Sequence, residues 1–576
     1  MINMKGKKPV YMPEIESGPM LNVYPDSIGG TLGNIVDFLQ MSELKKVFQS
    51  LYILPSVFNT DLDRGFSVID YGLNEEYSSR KDLEDLKKMG ISLKLDFVLN
   101  HLSVLSKQFR DILINGEKSL YKDFFIDWNK FWNGYGQMTS EGYIQPDKTL
   151  LEKMFLRKPG LPFLNVRMPD GKEIPYWNTF YQEVRYDAID TLDIMKAADI
   201  QYTSAEKLAE RINNALAEGK RPAEIDFGKY EKYRKSVTEL LESRRKYLGQ
   251  MDLNIKSPLV WKFYENTLKT LSGYGANIVR LDAFAYVSKE PGKRNFLNEP
   301  ETWEILRKIR GLAEKYRLAL LPEIHSRYDE KIHEKLAEEG YMTYDFFLPG
   351  LIIDALERNS NEYLVKWITD IREKRIKVVN MLGCHDGIPL LDLKGLIPDE
   401  QIEKLIEIVV NRGGYVKDLH GKKNIYYQVN AAYYSALGED DRKLLMARAI
   451  QIFMPGKPQV WYLDLLAGKN DHDAVKRAGP GGHKEINRTN VTLEQARKEL
   501  NKKAVRNQLE MLRFRNTFRA FGFDAELQIL NPSPKQLNLC WKKNGFCALL
   551  EADLETYRFR IEGTDEKGNI LFEMTQ

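Results

Sequence analysis

The chain has 576 residues, 43% of them hydrophobic, and 85 basic residues stand against 82 acidic ones. That length suits a large catalytic core with appendages, and the hydrophobic share excludes a disordered chain. The balanced charge speaks against a nucleic-acid or membrane-surface partner, and no apolar run approaches membrane-spanning length.

The N-terminal MINMKGKKPVYMPEIESG lacks the apolar stretch that marks secretion. Cys384, Cys540 and Cys547 are an odd number of cysteines without metal-ligand spacing, so a reducing, cytoplasmic location is expected. Along the chain, short apolar runs at 21–24, 51–54, 91–99, 277–281, 318–323, 343–348, 378–382 and 459–462 read as strands. Between several of them lie helical patterns with i, i+3, i+4 apolar spacing, such as TWEILRKIRGLAEKY (302–316) and NEYLVKWITDIREK (361–374). Eight strands alternating with helices imply an α/β fold, a parallel (β/α)8 TIM barrel. The competing open, doubly wound sheet lacks its Gly-rich first turn here.

The barrel is expected to comprise 1–101, 252–387 and 441–489. The long stretch 102–251 reads as an inserted lid subdomain. Its first part is rich in aromatic residues, Gly and Pro. Its later part, about 182–247, carries a helical hairpin insertion made of 204–220 and 229–248. A second inserted subdomain follows at 388–440. In 490–576, one last long helix running through 517 precedes a small antiparallel β domain that turns at KNG.

Four segments, DFVLNH (96–101), IVRLDAF (278–284), LLPEIH (320–325) and GCHDGIP (383–389), set carboxylates at or near the ends of apolar runs. In a parallel barrel those ends share one mouth. Asp282, Glu323 and Asp386 there are the set needed to break a glycosidic bond through a covalent sugar–enzyme intermediate. Arg280, two residues before Asp282, faces the same way and would hold it ionised, as a nucleophile requires. Glu323 follows LALLP, and desolvation would raise its pKa for acid/base work. Asp386 beside His385 would stabilise positive charge on the sugar ring. Taken singly, each carboxylate could be a helix cap, Arg280–Asp282 a structural ion pair and His101 a core histidine; the ordered set of four argues otherwise.

These segments resemble the four signature regions of the α-amylase superfamily, glycoside hydrolase family 13. The phrases NHLSVLSKQF, KPGLPF, HDGIP, YYQVNAAYYSALG, LAGKND and EINR are similar to those of its sucrose phosphorylase and sucrose 6-phosphate phosphorylase subgroup. The resemblance implies Asp282 as nucleophile, Glu323 as acid/base and Asp386 as transition-state stabiliser. It also places His101, Arg280 and His385 on a glucosyl unit, Asp63 on a distal hydroxyl, Phe66 against the ring and Gln250 along the site. Lys484 in HKEINR stands where the subgroup carries an arginine, keeping the charge but losing the planar fork. Ile425 replaces the fructose-binding aspartate of the acceptor loop, where Tyr426, Tyr427 and Gln428 follow. Arg157 and Lys158 occupy the position of the phosphate-binding arginine and would hold an anionic acceptor as well as phosphate.

The activity so implied is reversible phosphorolysis of sucrose or a sucrose 6-phosphate-like α-glucoside to α-glucose 1-phosphate, by a retaining double displacement. Inorganic phosphate is the co-substrate, and neither cofactor nor metal is implied. The expected partners are therefore the small-molecule α-glucoside and phosphate, and the expected state a monomer or homodimer. An α-glucosidase with the same catalytic residues is the alternative. A sugar-binding protein that merely retains the barrel is the reading from another class, and it has no use for a buried acid beside a nucleophile. The GPGGH stretch at 479–483 reads as a flexible loop bordering the mouth.

Overall fold

All eight expected strands form, in one sheet: β1 (Met20–Val23), β2 (Ser50–Ile53), β3 (Ser92–Val98), β4 (Ala276–Asp282), β5 (Ala319–Pro322), β6 (Thr343–Asp345), β7 (Val378–Met381) and β8 (Lys457–Trp461). The computed structural model describes residues 15–157, 160–418, 426–479, 481–530 and 532–576, the side chains of 417, 418, 426 and 427 apart. The strand order is 5-4-3-2-1-8-7-6, with parallel ladders joining each strand to the next in that order. This is the order of a (β/α)8 barrel that is nearly closed. Almost every strand position is buried, as expected when helices cover a parallel sheet and side chains fill its interior.

The barrel interior is not purely apolar. Lys94 of β3 donates to Gln459 of β8 at 2.7 Å and to the Tyr344 hydroxyl of β6, and lies 3.7 Å above the Tyr52 ring of β2. One buried amine thus ties four strands. Register sets Asp96 of β3 beside Arg280 of β4, the first charged layer above it.

By compactness the chain divides into two units. One comprises Met1–Asn100, Thr149–Pro159 and Ile255–Gln576, and the other His101–Lys148 and Gly160–Asn254. The first unit includes the C-terminal antiparallel meander of Glu526–Ile529, Gln536–Lys543, Phe546–Asp553, Arg558–Thr564 and Ile570–Thr575. Its strands alternate, turning Ala548, Leu550, Ala552, Phe559 and Ile561 inward. Trp541 donates to the Phe453 carbonyl at 2.8 Å, and Asn361 to those of Ser533 and Gln536 at 3.0 and 2.6 Å. The expected long helix before this sheet is two helices, Leu493–Glu499 and Lys503–Thr517. Asn501 breaks it by donating its side-chain amide to the Arg497 carbonyl at 3.2 Å.

The second unit holds a three-stranded antiparallel sheet, ordered Gln182–Tyr186, Arg245–Asp252, His101–Ser103. Trp128, Trp132 and Trp177 are buried together, Trp128 and Trp177 with ring centroids 4.9 Å apart, so these aromatic residues pack a core. Helices Thr191–Ala197, Tyr202–Ala217 and Arg234–Ser243 enclose a core of their own around Ile194, Leu208, Ile212, Phe227 and Val237. The expected helix over 229–248 stops at Ser243. Arg245 turns back to Glu242 and meets Glu173 at 2.9 Å, and residues 245–249 take Gln182–Tyr186 as ladder partners. Cross-strand pairing outweighs the helical propensity of that segment.

Candidate active site

Arg280 is the centre around which the acidic groups gather. It points from β4 and its guanidinium reaches Asp96 at 2.5 Å, Asp282 at 3.0 Å and Glu323 at 2.6 Å. Asp282 is the last residue of β4, and Glu323 follows β5 by one residue. The parallel ladder between those strands brings the two carboxyl groups to one guanidinium. Tyr52 donates to Asp96 from below at 3.1 Å. His325 presents Nε2 to Glu323 at 3.6 Å and Nδ1 to Asp392 at 2.9 Å.

The third carboxylate follows β7. Asp386 meets His385 Nε2 at 3.0 Å, Lys484 Nζ at 2.5 Å and Arg488 at 3.9 Å. Arg488 also fixes the loop, donating to the His385 carbonyl at 2.8 Å, while Asn430 donates to that of Asp386 at 2.5 Å. Gly387 makes the loop possible. At φ +122° a Cβ there would lie 2.7 Å from the Asn430 amide and 2.8 Å from the Val429 carbonyl.

Phe66 joins the two groups. Its ring stacks on His385 at 5.0 Å and 13°, and the Arg280 guanidinium lies 5.3 Å from its centroid. The ring is delivered by the tight turn Asp63–Gly65, in which Asp63 and Arg64 adopt positive φ. Gly65 is forced, because a Cβ would sit 2.2 Å from the Ser56 backbone nitrogen. Arg64 covers the Tyr24 ring at 4.3 Å, and Arg488 covers the same ring at 5.6 Å.

Electrostatics departs from the sequence expectation at the central pair. Burial pushes the Asp282 carboxyl well above the usual range; Arg280 offsets this only in part, and the Glu323 charge adds to it. Burial acts on Glu323 too, but Arg280 and then His325 outweigh it and hold that carboxyl well below the usual range. These directions are the reverse of those expected from LALLP and Arg280. The physical reason is His325, a second cation that favours Glu323. Despite burial, His385, Lys484 and Arg488 hold Asp386 well below the ordinary carboxylate range.

In the first unit the structure therefore brings together Asp282, Glu323, Asp386, Phe66, Arg280, His385 and Lys484, with Asp63 on the turn that carries Phe66. Arg157 donates to the Tyr286 hydroxyl at 3.0 Å, and Gln428 is buried in the strand Tyr426–Asn430. Lys158, Ile425 and the side chains of Tyr426 and Tyr427 lie outside the described residues, as does Pro480 of GPGGH. In the second unit His101 and Gln250 lie on paired strands. His101 packs on Phe180 at 4.8 Å, and Gln250 accepts from the Tyr181 amide at 3.1 Å. Sequence reasoning did not single out Asp96, His325, Asp392, Tyr24 or Arg488. Asp96, His325 and Arg488 sit inside the quoted phrases DFVLNH, LLPEIH and EINR, and that was the available signal. Among the described residues, no group of three or more His, Cys, Asp or Glu side chains is placed to hold a metal ion. No helix among them is long and apolar enough to cross a membrane.

No protein-family model matches the chain. It is 48% identical over 551 residues to a sucrose 6(F)-phosphate phosphorylase of Ilumatobacter coccineus, covering 94% of this chain and 95% of that one. The crystal structure of sucrose 6F-phosphate phosphorylase from Thermoanaerobacter thermosaccharolyticum matches with a TM-score of 0.79 and 33% identity, over 98% of both chains. An α-amylase structure from H. orenii, 14% identical, shares the fold with a TM-score of 0.59 over 95% of this chain and 92% of that one.

Proposed function

The chain belongs to the sucrose phosphorylase and sucrose 6-phosphate phosphorylase subgroup of the α-amylase superfamily, and from that premise we propose that it is a retaining α-glucosyl phosphorylase whose substrate is a sucrose 6-phosphate-type α-glucoside. The observation that carries the mechanism is the sharing of one buried guanidinium by Asp282 and Glu323, with Asp386 held ionised beside them. Asp282 attacks the anomeric carbon, Glu323 gives its proton to the departing sugar oxygen, and Asp386 stabilises the positive charge that builds on the ring. Inorganic phosphate then displaces Asp282, and two inversions leave α-glucose 1-phosphate.

Asp282 and Glu323, both against Arg280, titrate as one unit. Turnover needs the proton on Glu323 and the charge on Asp282. Phe66, flat against His385, supplies the apolar wall for a sugar face. Arg157 and Lys158 are assigned to phosphate and to an anionic acceptor. The hydrolase reading is not favoured, because the relatives named above at 48% and 33% identity are phosphorylases. No metal or cofactor is assigned a role.

The deciding experiment incubates the purified chain with sucrose 6-phosphate or sucrose, with and without inorganic phosphate. The proposal expects α-glucose 1-phosphate to form only with phosphate, and faster from the phosphorylated sugar. Free glucose at equal rates in both conditions would reject phosphorolysis, and a preference for plain sucrose would reject the assigned acceptor.

A further inference from the structure

The C-terminal sheet holds a thiol pair that the chemistry above does not use. Cys540 lies on the strand Gln536–Lys543 and Cys547 on its neighbour Phe546–Asp553. Their sulfur atoms are 2.9 Å apart. Register pairs Cys540 with Leu549 and Cys547 with Lys542, so the two cysteines are diagonal neighbours on one face of the hairpin. The strands are joined by the two-residue turn Asn544–Gly545, both residues at positive φ, 50° and 81°. Such a turn matches the right-handed twist of its flanking strands, and that twist brings the diagonal sulfurs into contact.

Access differs between the two. Cys540 is 3% exposed, whereas Cys547 is half-buried and open to a small solute. Burial, and after it the Cys547 sulfur, push the Cys540 thiol up to about 12, so Cys540 keeps its proton and Cys547 is the sulfur that an oxidant meets. Lys542 stands directly across from Cys547, and Glu526 faces Lys542 from the next strand. To reach the length of a disulfide the two sulfurs need to approach by about 0.9 Å.

We propose that Cys540 and Cys547 form a reversible redox site: hydrogen peroxide closes them to a cross-strand disulfide that pins the hairpin, and a thiol reductant opens it again. The inference stands apart from the phosphorylase reading. In the first step the Cys547 sulfur attacks one peroxide oxygen and the O–O bond breaks, leaving a sulfenic acid on Cys547 and one water. The Cys540 sulfur then attacks the sulfenic sulfur. The S–S bond forms as the S–O bond breaks, and the hydroxyl leaves with the Cys540 proton as a second water. Two electrons have passed from the thiols to the peroxide. Reduction by a dithiol returns two electrons and two protons, and the dithiol becomes a disulfide.

The bridge has a structural purpose. It closes the segment 540–547, and such a cross-link acts by restricting the opened chain. Opening the hairpin would part Trp541 from the Phe453 carbonyl, a contact that holds this sheet to the helix Asp441–Phe453. In reducing surroundings the pair rests as thiols and closes only under oxidative load, as redox-sensing pairs do. Cys384, buried in the loop that carries Asp386, is the internal control.

The test treats the purified full chain with hydrogen peroxide, denatures it in iodoacetamide and maps the peptides by mass spectrometry. The oxidised chain is expected to offer one thiol for alkylation where the reduced chain offers three, Cys384 being the one that remains. A cross-linked peptide joins Cys540 to Cys547 and is released by dithiothreitol. Neither Cys540→Ser nor Cys547→Ser forms it, and Cys540→Ser halts with a sulfenic acid on Cys547. Hydrogen exchange across 536–553 slows roughly 10- to 100-fold in the oxidised wild type. Three alkylated thiols after oxidation, a sulfinic acid on Cys547 without a bridge, or a bridge between two chains would overturn the inference. Unchanged exchange in a bridged chain would overturn the pinning. If a variant does not fold, the wild-type peptide map decides.

Discussion

Replacing Arg280 with glutamine removes the one group that Asp96, Asp282 and Glu323 share. The wild-type guanidinium is 3% exposed and lies 2.5, 3.0 and 2.6 Å from the three carboxylates. Breaking a buried ion pair from one side costs about 3–5 kcal/mol, because the remaining charge is left without a partner. Here the remaining carboxylates can also take up protons. Burial already holds Asp282 above its ordinary value in wild type; with Arg280 gone, the folded-state pKa values of both carboxyls rise. Their contribution to stability is then complete below about pH 4, the unfolded value, and is lost as pH rises through the folded one. Denaturant unfolding of wild type and variant at pH 5 and pH 8 should therefore show a deficit that is larger at pH 8. Turnover should fall by at least about a thousandfold at both pH values, since the charges of acid and nucleophile are no longer ordered. Arg280→Lys should recover part of the stability and little of the activity, because one ammonium cannot span three carboxylates. A deficit that is equal at the two pH values, or a variant retaining a tenth of the activity, would refute the reasoning.

Gly65→Ala should destabilise the chain by about 2 kcal/mol, since the new methyl group meets the Ser56 backbone nitrogen at 2.2 Å and must displace the turn. Because that turn carries Phe66, kcat/KM should fall more than a stability loss of this size explains; a variant with unchanged kcat/KM contradicts the placement of Phe66. His333 is buried against Tyr328, Phe347 and Trp367, and burial lowers its pKa to about 4. The unfolded chain protonates near pH 6.5, so this group's stability is present above that value and is lost as pH falls towards 4, by about 3 kcal/mol in full. His333→Leu should lose correspondingly less stability between pH 7 and 4, and parallel pH profiles for the two proteins would rule the effect out.

The barrel was legible because strands such as β3 and β7 are covered on both faces, so their segments read as unbroken apolar runs. The carboxylates were legible because those runs end beside them. The break at Asn501 was not, since one side-chain hydrogen bond decides it against strong helical spacing on both sides. The strand at Arg245–Asp252 was missed for a related reason: its partners lie at Gln182–Tyr186, outside any local window. The directions of the shifts at Asp282 and Glu323 were not legible, because they depend on Arg280 and on His325, which Asp392 contacts from 67 residues further along the chain. Arg488 escaped notice beside Lys484. Its use emerges only when the loop 103 residues earlier is folded under it.

Trapping the covalent intermediate tests the central assignment most directly. Glu323→Gln, given α-glucosyl fluoride without phosphate, is acid-quenched and analysed by mass spectrometry of the intact and digested chain. A mass gain of one glucosyl unit, mapped to a peptide containing Asp282 and absent from Asp282→Asn, is the result expected. No adduct under conditions where fluoride is released, or an adduct on another side chain, would contradict Asp282 as the nucleophile and the double displacement built on it.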